Sequence, residues 1–425
     1  MSRYNFSEEY EFTNETRPQK KRKRRRKKSA DNAKVSQAIT ISVVSVLIVA
    51  CMALFIGFSQ TGLTSAQEEN TVVTEEMLPA LEDTGFVNFT FMATGDNLLH
   101  TKLYTEANQR AGGTGYDFDQ LYAGVADLLK DADIAFINQE TPLATAIADV
   151  SSYPMFNTPS ECVYDLHEIG FNVFNIVSNH TLDKGADGVK ATIDVMEGMD
   201  DTLYVGSYYN KEEMEKLHYL EQGGIKVAFL GFTEMTNGLE LSPDSEIAFT
   251  YTSDEAEMEK LIKDADTKAE VVIVSVHWGE ENVFNASDAQ KQLAQKFADW
   301  GADLVIGHHP HVLEQIESVT SADGRTVPVV YSLGNFTSTM NLQANHIGGF
   351  FKCNVIYNKA DKSVAIADEE FIPLINYFTA GKNNIRVLPV SEYTQDLENN
   401  NGLGISSSYI NDIVNSTVGN DLVRR

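Results

Sequence analysis

The chain of 425 residues is 43% hydrophobic and 22% charged, a balance that suits a globular protein with a packed core. Its net charge of −28 is unevenly placed, because the first 34 residues carry 12 basic against 5 acidic side chains. The remainder is left at about −35, a body that repels nucleic acid and excludes nucleic-acid binding.

The N-terminal residues 1–37 form a basic tail with an unbroken run from Lys20 to Lys28. No charged residue occurs from Val35 to Gln67, and Ala38 to Phe58 is long enough to span a bilayer as one helix. A positive cluster beside a first span keeps that side cytoplasmic, so the body is expected outside, on a single-pass anchor in the cell membrane. A cleaved signal peptide competes, with small residues at Thr64 and Ala66. The apolar run exceeds a typical signal core and its leading segment is long, which favours the uncleaved anchor. Residues 59–85 read as a polar extracytoplasmic stalk. Cys51 lies in the span; Cys162 and Cys353 lie beyond it, and their pairing is open.

Ordered structure is expected from residue 86. "FVNFTFMATGDN" reads as a buried strand, and "YDFDQLYAGVADLLKDAD" as a helix. "IAFINQE" is a strand, "SECVYDLHEIG" a helix, "FNVFNIVSNH" a strand, "DKGADGVKATIDVMEGM" a helix and "TLYVGS" a strand. Next come "GIKVAFLGFTEM" and "AEVVIVSVHWG", then a helix ending at Gly301 and the strand before "GHHPH". "VPVVYSLGNF", "GGFFKCNVIYN" and "SVAIADEEFIPL" read as closing strands. The alternation predicts an α/β fold with layered sheets over 86–375; residues 376–425 have weaker periodicity and no assigned structure.

Polar residues fall at the strand ends: Asp96, Asn138 and Glu140, Asn179 and His180, His277, and His309 with His311. Carboxyl ends of strands line the ligand crevice in open α/β sheets, so these positions are expected to converge. Each has an ordinary reading as well. Asp96 suits a helix cap, Glu140 a solvated loop acid, Asn179 and His180 turn formers, and His277 a hydrogen-bonded core histidine. His100 is one helical turn beyond Asp96, or a surface histidine. His309 and His311 are expected on one face of an extended segment, held so by Pro310, with His308 on the other. As a set they match a dinuclear site of nitrogen and oxygen ligands, suited to Mn, Fe or Zn.

The stretches "ATGDNLLH", "FINQETPL", "YPMFNTP", "FNVFNIVSNHTLDKGADGV", "VSVHWGEE", "IGHHPHVLEQIE" and "VPVVYSLGNF" together resemble the bacterial capsule biosynthesis family known as CapA. That family is associated with poly-γ-glutamate capsules and is similar to the calcineurin-like metallophosphatases. The resemblance implies a four-layer α/β/β/α sandwich. By position it implies metal ligation by Asp96, Glu140, Asn179, His277, His309 and His311, with two divalent ions and His180 as catalytic histidine. Asn138, His100 and Glu281 are further candidates, and Tyr153, Phe156 and Asn157 a substrate rim. The metallophosphatase Asp-x-His pair is broken here, since Leu98 follows Asp96 by two; "NLE" reads "NQE", and Asn282 stands where a tyrosine is usual.

The expected activity is metal-dependent hydrolysis of a phosphoester or amide-like bond in an anionic capsule or cell-wall polymer. The alternative is a non-catalytic polymer-binding assembly or transport factor. Membrane-bound polymer synthase subunits are the expected protein partners. Arg325, Lys184 and Lys352 are candidate basic contacts for the polymer.

Overall fold

Strand β1 (Phe86–Asn97) carries the alternation that organises the molecule: Val87, Phe89, Phe91 and Ala93 face one core, and Met92 another. The computed structural model describes residues 85–419 and 421–424. The transmembrane and stalk expectations for 38–58 and 59–84 fall outside those residues. Among the described residues no helix is long and apolar enough to cross a membrane.

Around β1 the first sheet assembles β2 (Ile134–Gln139), β3 (Val173–Asn175) and β4 (Leu203–Val205), all parallel, on one side. The second sheet contains β5 (Tyr219–Gln222), β6 (Ile225–Thr233), β7 (Thr250–Tyr251), β8 (Val271–His277), β9 (Leu304–His308), β10 (Ile316–Thr320) and β11 (Thr326–Val330). Its order is β10-β11-β9-β8-β6-β5, with β7 beside β6. The chain then returns through β12 (Asn335–Thr337), β13 (Ile347–Asn358), β14 (Val364–Thr379) and β15 (Asn383–Pro389). These complete the first sheet in the order β15-β14-β13-β1-β2-β3-β4, with β12 beside β1.

The two sheets bury one core between them, including Phe89, Phe136, Phe229, Ile273 and Ile306. Helices α1 (Thr101–Arg110), α2 (Glu161–Glu168) and α3 (Gly185–Glu197) cover the outer face of the first sheet through Leu103, Val163 and Ile193. Helices α4 (Glu255–Lys268) and α5 (Asp288–Trp300) cover the second through Ile262 and Phe297. This is the layered α/β arrangement expected from the strand–helix alternation. Ser287 and Gln290 start α5 with a reciprocal capping box.

Three local expectations change. The helix expected through 116–133 is shorter and interrupted: α-helical segments Asp119–Tyr122 and Ala126–Leu129 flank a 3-10 turn at Ala123–Val125, where Gly124 lies against β15, a Cβ there standing 2.4 Å from the Val387 carbonyl oxygen. The strand expected over 327–336 splits into β11 and β12, which belong to different sheets. Residues beyond 375, left without structure by their weak periodicity, belong to the same fold. Strand β14 continues through 376, and helices α6 (Gln395–Asn400) and α7 (Ser407–Thr417) follow β15. Tyr393, Ile405, Ile410 and Val414 close one end of the inter-sheet core. Cys162 and Cys353 are buried free thiols in different cores.

Candidate metal centre

Register places the polar strand ends together. Asp96 is opposite Asn138 on β2 and Asn335 on β12; Asn138 is opposite Asn175; His277 is opposite His308. Residues two apart on these strands, such as Ile134, Phe136, Ile273 and Ile306, line the inter-sheet core. Asn138, His277 and His308 therefore face the same interior at its carboxyl-end rim.

Two clusters of potential ligands share one carboxylate. Glu140, His277 and His309 offer donor atoms within 4.8 Å of one another, and so do Asp96, Glu140 and His311. Both Glu140 oxygens are buried without a hydrogen-bond partner, and His309 Nδ1 is likewise unpartnered. Unpartnered buried carboxylate is costly, and an imidazole–carboxylate set suits borderline divalent cations. The residues thus fit a divalent-metal site, with Glu140 common to both clusters. Asn179 adds an amide oxygen, accepting from His277 Nε2 at 3.0 Å.

The electrostatics are those of a charge-dense pocket. Burial opposes ionisation of Asp96, but the His311 hydrogen bond, then the His311 and His308 charges and Asn138, hold it below the usual range. Burial pushes Glu140 well up, against the pull of His311 and with the help of Asp96, Glu281 and Asp183. Burial and the other histidines push His277 well down, and burial then His311 bring His309 to about 4. His311 moves the other way: burial disfavours its charge, yet Glu140 and Asp96 raise it to about 10.

His180 sits 6% exposed at the mouth. Its Nδ1 is 2.8 Å from Asp183 Oδ2, and its Nε2 is 4.0 Å from Glu140 Oε1. Asp183 Oδ2 also accepts from the Phe156 amide at 2.6 Å. With Asp183 as acceptor, Nδ1 donates to it and Nε2 is the nitrogen turned toward the site. Asp183 escaped the sequence reading; its signal was three-residue spacing from His180 in "NHTLD".

The remaining candidates separate. Asn138 is a strut: its Nδ2 reaches Asp96 Oδ1 at 2.8 Å and His277 Nδ1 at 3.4 Å, while its Oδ1 accepts from Asn175 at 2.7 Å. His100 Nδ1 accepts from the Thr339 amide at 3.3 Å, and His100 belongs to neither ligand cluster. Glu281 is exposed at the rim. Tyr153 is 76% exposed, whereas Phe156 is buried edge-on to His180 at 4.7 Å between ring centroids. Asn157 is a correction: it is fully buried, and its amide serves Ala144, Ala148 and Asp149 backbone groups, so it braces the loop from inside. Arg325 and Lys184 are also engaged internally, Arg325 with Asp303 and Asp323, and Lys184 with the Met155 carbonyl.

The histidine triplet is arranged differently from the extended segment expected. Strand β9 ends at His308, which keeps the inward face, stacks on Phe136 and has Nδ1 3.7 Å from Asp96 Oδ1. His309 and His311 have φ of 99° and 57°, so both turn back into the site through left-handed backbone. Pro310 thus lies inside a tight reversal. Glycines make room for the surrounding chain: a Cβ on Gly95 would stand 1.8 Å from the Gly334 carbonyl oxygen.

A two-sheet α/β protein with a carboxylate-linked histidine cluster at its strand ends defines the class. The chain belongs to the bacterial capsule synthesis protein family PGA_cap, whose model matches residues 90–340. It is 31% identical over 230 residues to the capsule biosynthesis protein CapA of Bacillus anthracis, covering 52% of this chain and 54% of that one. It is 30% identical over 220 residues to the PGA biosynthesis protein CapA of Bacillus subtilis, covering 51% and 56%. The chain thus spans about half the length of these curated relatives. Among solved structures, a phosphatase from Mycoplasma pneumoniae aligns at 13% identity and TM-score 0.40, covering 68% of this chain and 94% of that one. A putative 5'-nucleotidase from Staphylococcus aureus aligns at 13% identity and TM-score 0.42, covering 73% and 58%.

Proposed function

We propose that this protein is a metal-dependent, metallophosphatase-like hydrolase of capsule biosynthesis, acting on a phosphoester or amide-like bond in an anionic polymer such as poly-γ-glutamate. The observation that carries the reading is Glu140, a buried carboxylate with two free oxygens between two histidine-containing clusters. Asp96, Glu140 and His311 would hold one divalent ion, and Glu140, His277 and His309, with Asn179, the other. When bound, such a pair supplies Lewis acidity and an activated water. His180, oriented by Asp183, exchanges a proton with the reacting group through Nε2. Phe156 packs against its ring and limits access of bulk water there.

The body works outside the cell on an N-terminal anchor, beside membrane-bound polymer synthase subunits; the basic run before the uncharged span supports this placement. External protease on intact or wall-stripped cells should remove the body and spare the N-terminal tail.

The second reading, a non-catalytic polymer-binding or transport factor, is favoured by one observation. Leu98 and the engaged His100 leave the Asp96 cluster without the histidine of an Asp-x-His pair. Metal analysis combined with a phosphodiester assay and a polymer-cleavage assay decides between them. His180→Ala and Asp183→Asn should retain metal, and the histidine change should slow turnover by about 10²–10⁴-fold. Capsule assembly at wild-type level in His180→Ala cells would reject the catalytic reading.

A further inference from the structure

Behind His311 lies a buried set of asparagines that no ligand assignment uses. Asn335 and Asn345 are at most 1% exposed. His311 Nδ1 is 3.0 Å from Asn335 Oδ1 and 3.1 Å from Asp96 Oδ2. Asn335 Nδ2 donates to the Asn345 carbonyl at 3.0 Å and to Ser338 Oγ at 3.1 Å. Asn345 Nδ2 donates to the His311 carbonyl at 3.1 Å and to Asn282 Oδ1 at 2.8 Å. The Asn282 amide closes the ring by donating to the Pro310 carbonyl at 2.8 Å.

The directions in this ring are forced. A backbone carbonyl only accepts, so the Asn345 carbonyl fixes which end of the Asn335 amide is nitrogen. The Asn335 oxygen must then face His311, and flipping the amide would set oxygen against oxygen. An amide oxygen also only accepts, so His311 Nδ1 must carry hydrogen. When the ring carries a single hydrogen, as a metal ligand must, the lone pair is left on Nε2, which is 3.7 Å from Glu140 Oε1. The same ring holds the Pro310 and His311 carbonyls in a reversal whose two histidines sit in left-handed backbone. Such backbone persists when surrounding contacts over-determine it.

We propose that Asn335 and Asn345 are positioning residues that fix His311 as an Nε2 ligand and so set the affinity of the Asp96–Glu140–His311 cation position. The inference rests on the metal-centre reading above and adds a residue-level cause for one half of it. Asn335 acts on the imidazole, and Asn345 acts on the main chain that carries it. The Glu140–His277–His309 position makes no hydrogen bond to either asparagine among those described, so it is the internal control.

The test is Mn²⁺ binding to the full-length protein, titrated against a chelator and followed by electron paramagnetic resonance. Wild type should bind two ions and give a spin-coupled signal. Asn335→Leu should weaken one position by about 10–100-fold, the usual cost of removing such an outer partner, and give the uncoupled signal of a single ion. Asn335→Asp keeps an acceptor facing Nδ1 but sets its other carboxylate oxygen against the Asn345 carbonyl, so it should recover the second position in part. Asn345→Ala should weaken the same position. Two ions bound with wild-type affinity in Asn335→Leu would overturn the clamp. So would equal weakening of both positions, or failure of Asn335→Asp to differ from Asn335→Leu. Absence of Mn²⁺ from wild type itself would overturn the metal reading and the clamp with it, an outcome visible before any variant is compared.

Discussion

Replacing Glu140 by leucine should make the ion-free protein more stable while abolishing its response to metal. Glu140 is 1% exposed and neither carboxyl oxygen has a hydrogen-bond partner, the His311 ring standing 3.7 Å away without bonding it. A buried unsatisfied polar group costs about 1–3 kcal/mol, and an apolar side chain of similar shape removes that cost. With an unfolding entropy of about 2.1 cal/mol/K per residue, 1 kcal/mol is worth about 1.5 °C for the unit from Leu81 to Arg425. Glu140→Leu should therefore melt about 1.5–4 °C above wild type in chelator. In metal the gap should close or reverse. A cation at 100 times its dissociation constant adds about 2.7 kcal/mol, or about 4 °C, to wild type and nothing to the variant, which has lost a ligand from both clusters. Differential scanning calorimetry of both proteins, each in chelator and in Mn²⁺, reads all four melting temperatures. A variant that melts below wild type in chelator, or that still gains stability from Mn²⁺, would refute the argument.

The ion-free protein should lose stability from neutral to alkaline pH. His311 is raised to about 10, so its stabilising proton is fully bound below its unfolded value near 6.5 and is lost as pH rises through the folded one. Glu140, pushed up by burial, acts in the same direction, its contribution being lost as pH rises through its folded value. Loading metal at neutral pH should correspondingly release about one proton, from His311, measurable by calorimetry in buffers of different ionisation enthalpy. Gly95→Ala should cost about 4 kcal/mol or more, since its Cβ would overlap the Gly334 carbonyl oxygen. Soluble yield and thermal melting of that variant check it; near-wild-type stability would mean that β1 and the Gly334 turn can separate.

Much of the fold was legible because period and position carry it. Alternation in β1 and the apolar runs of β8 and β9 identify buried strands, and polar residues at their carboxyl ends mark where a crevice must lie. What escaped was governed by single backbone angles and by partners distant in sequence. Simple alternation sends His308 away from its neighbours and keeps His309 and His311 extended. In the fold, β9 stops at His308, which stays inward, and two left-handed residues turn His309 and His311 back toward Glu140. No side-chain periodicity encodes that reversal. Asn157 looked like a rim residue because its stretch is rich in proline and aromatic side chains, yet its amide braces the loop that carries them. Asn335 stood in "SLGNF" with no histidine or acid nearby to mark it. Its role depends on β12 crossing back to β1 opposite Asp96, a pairing between residues 239 apart in the chain. Ligand types are therefore readable from sequence when they end apolar strands, whereas the groups that orient them are readable only once topology has brought a second strand end alongside.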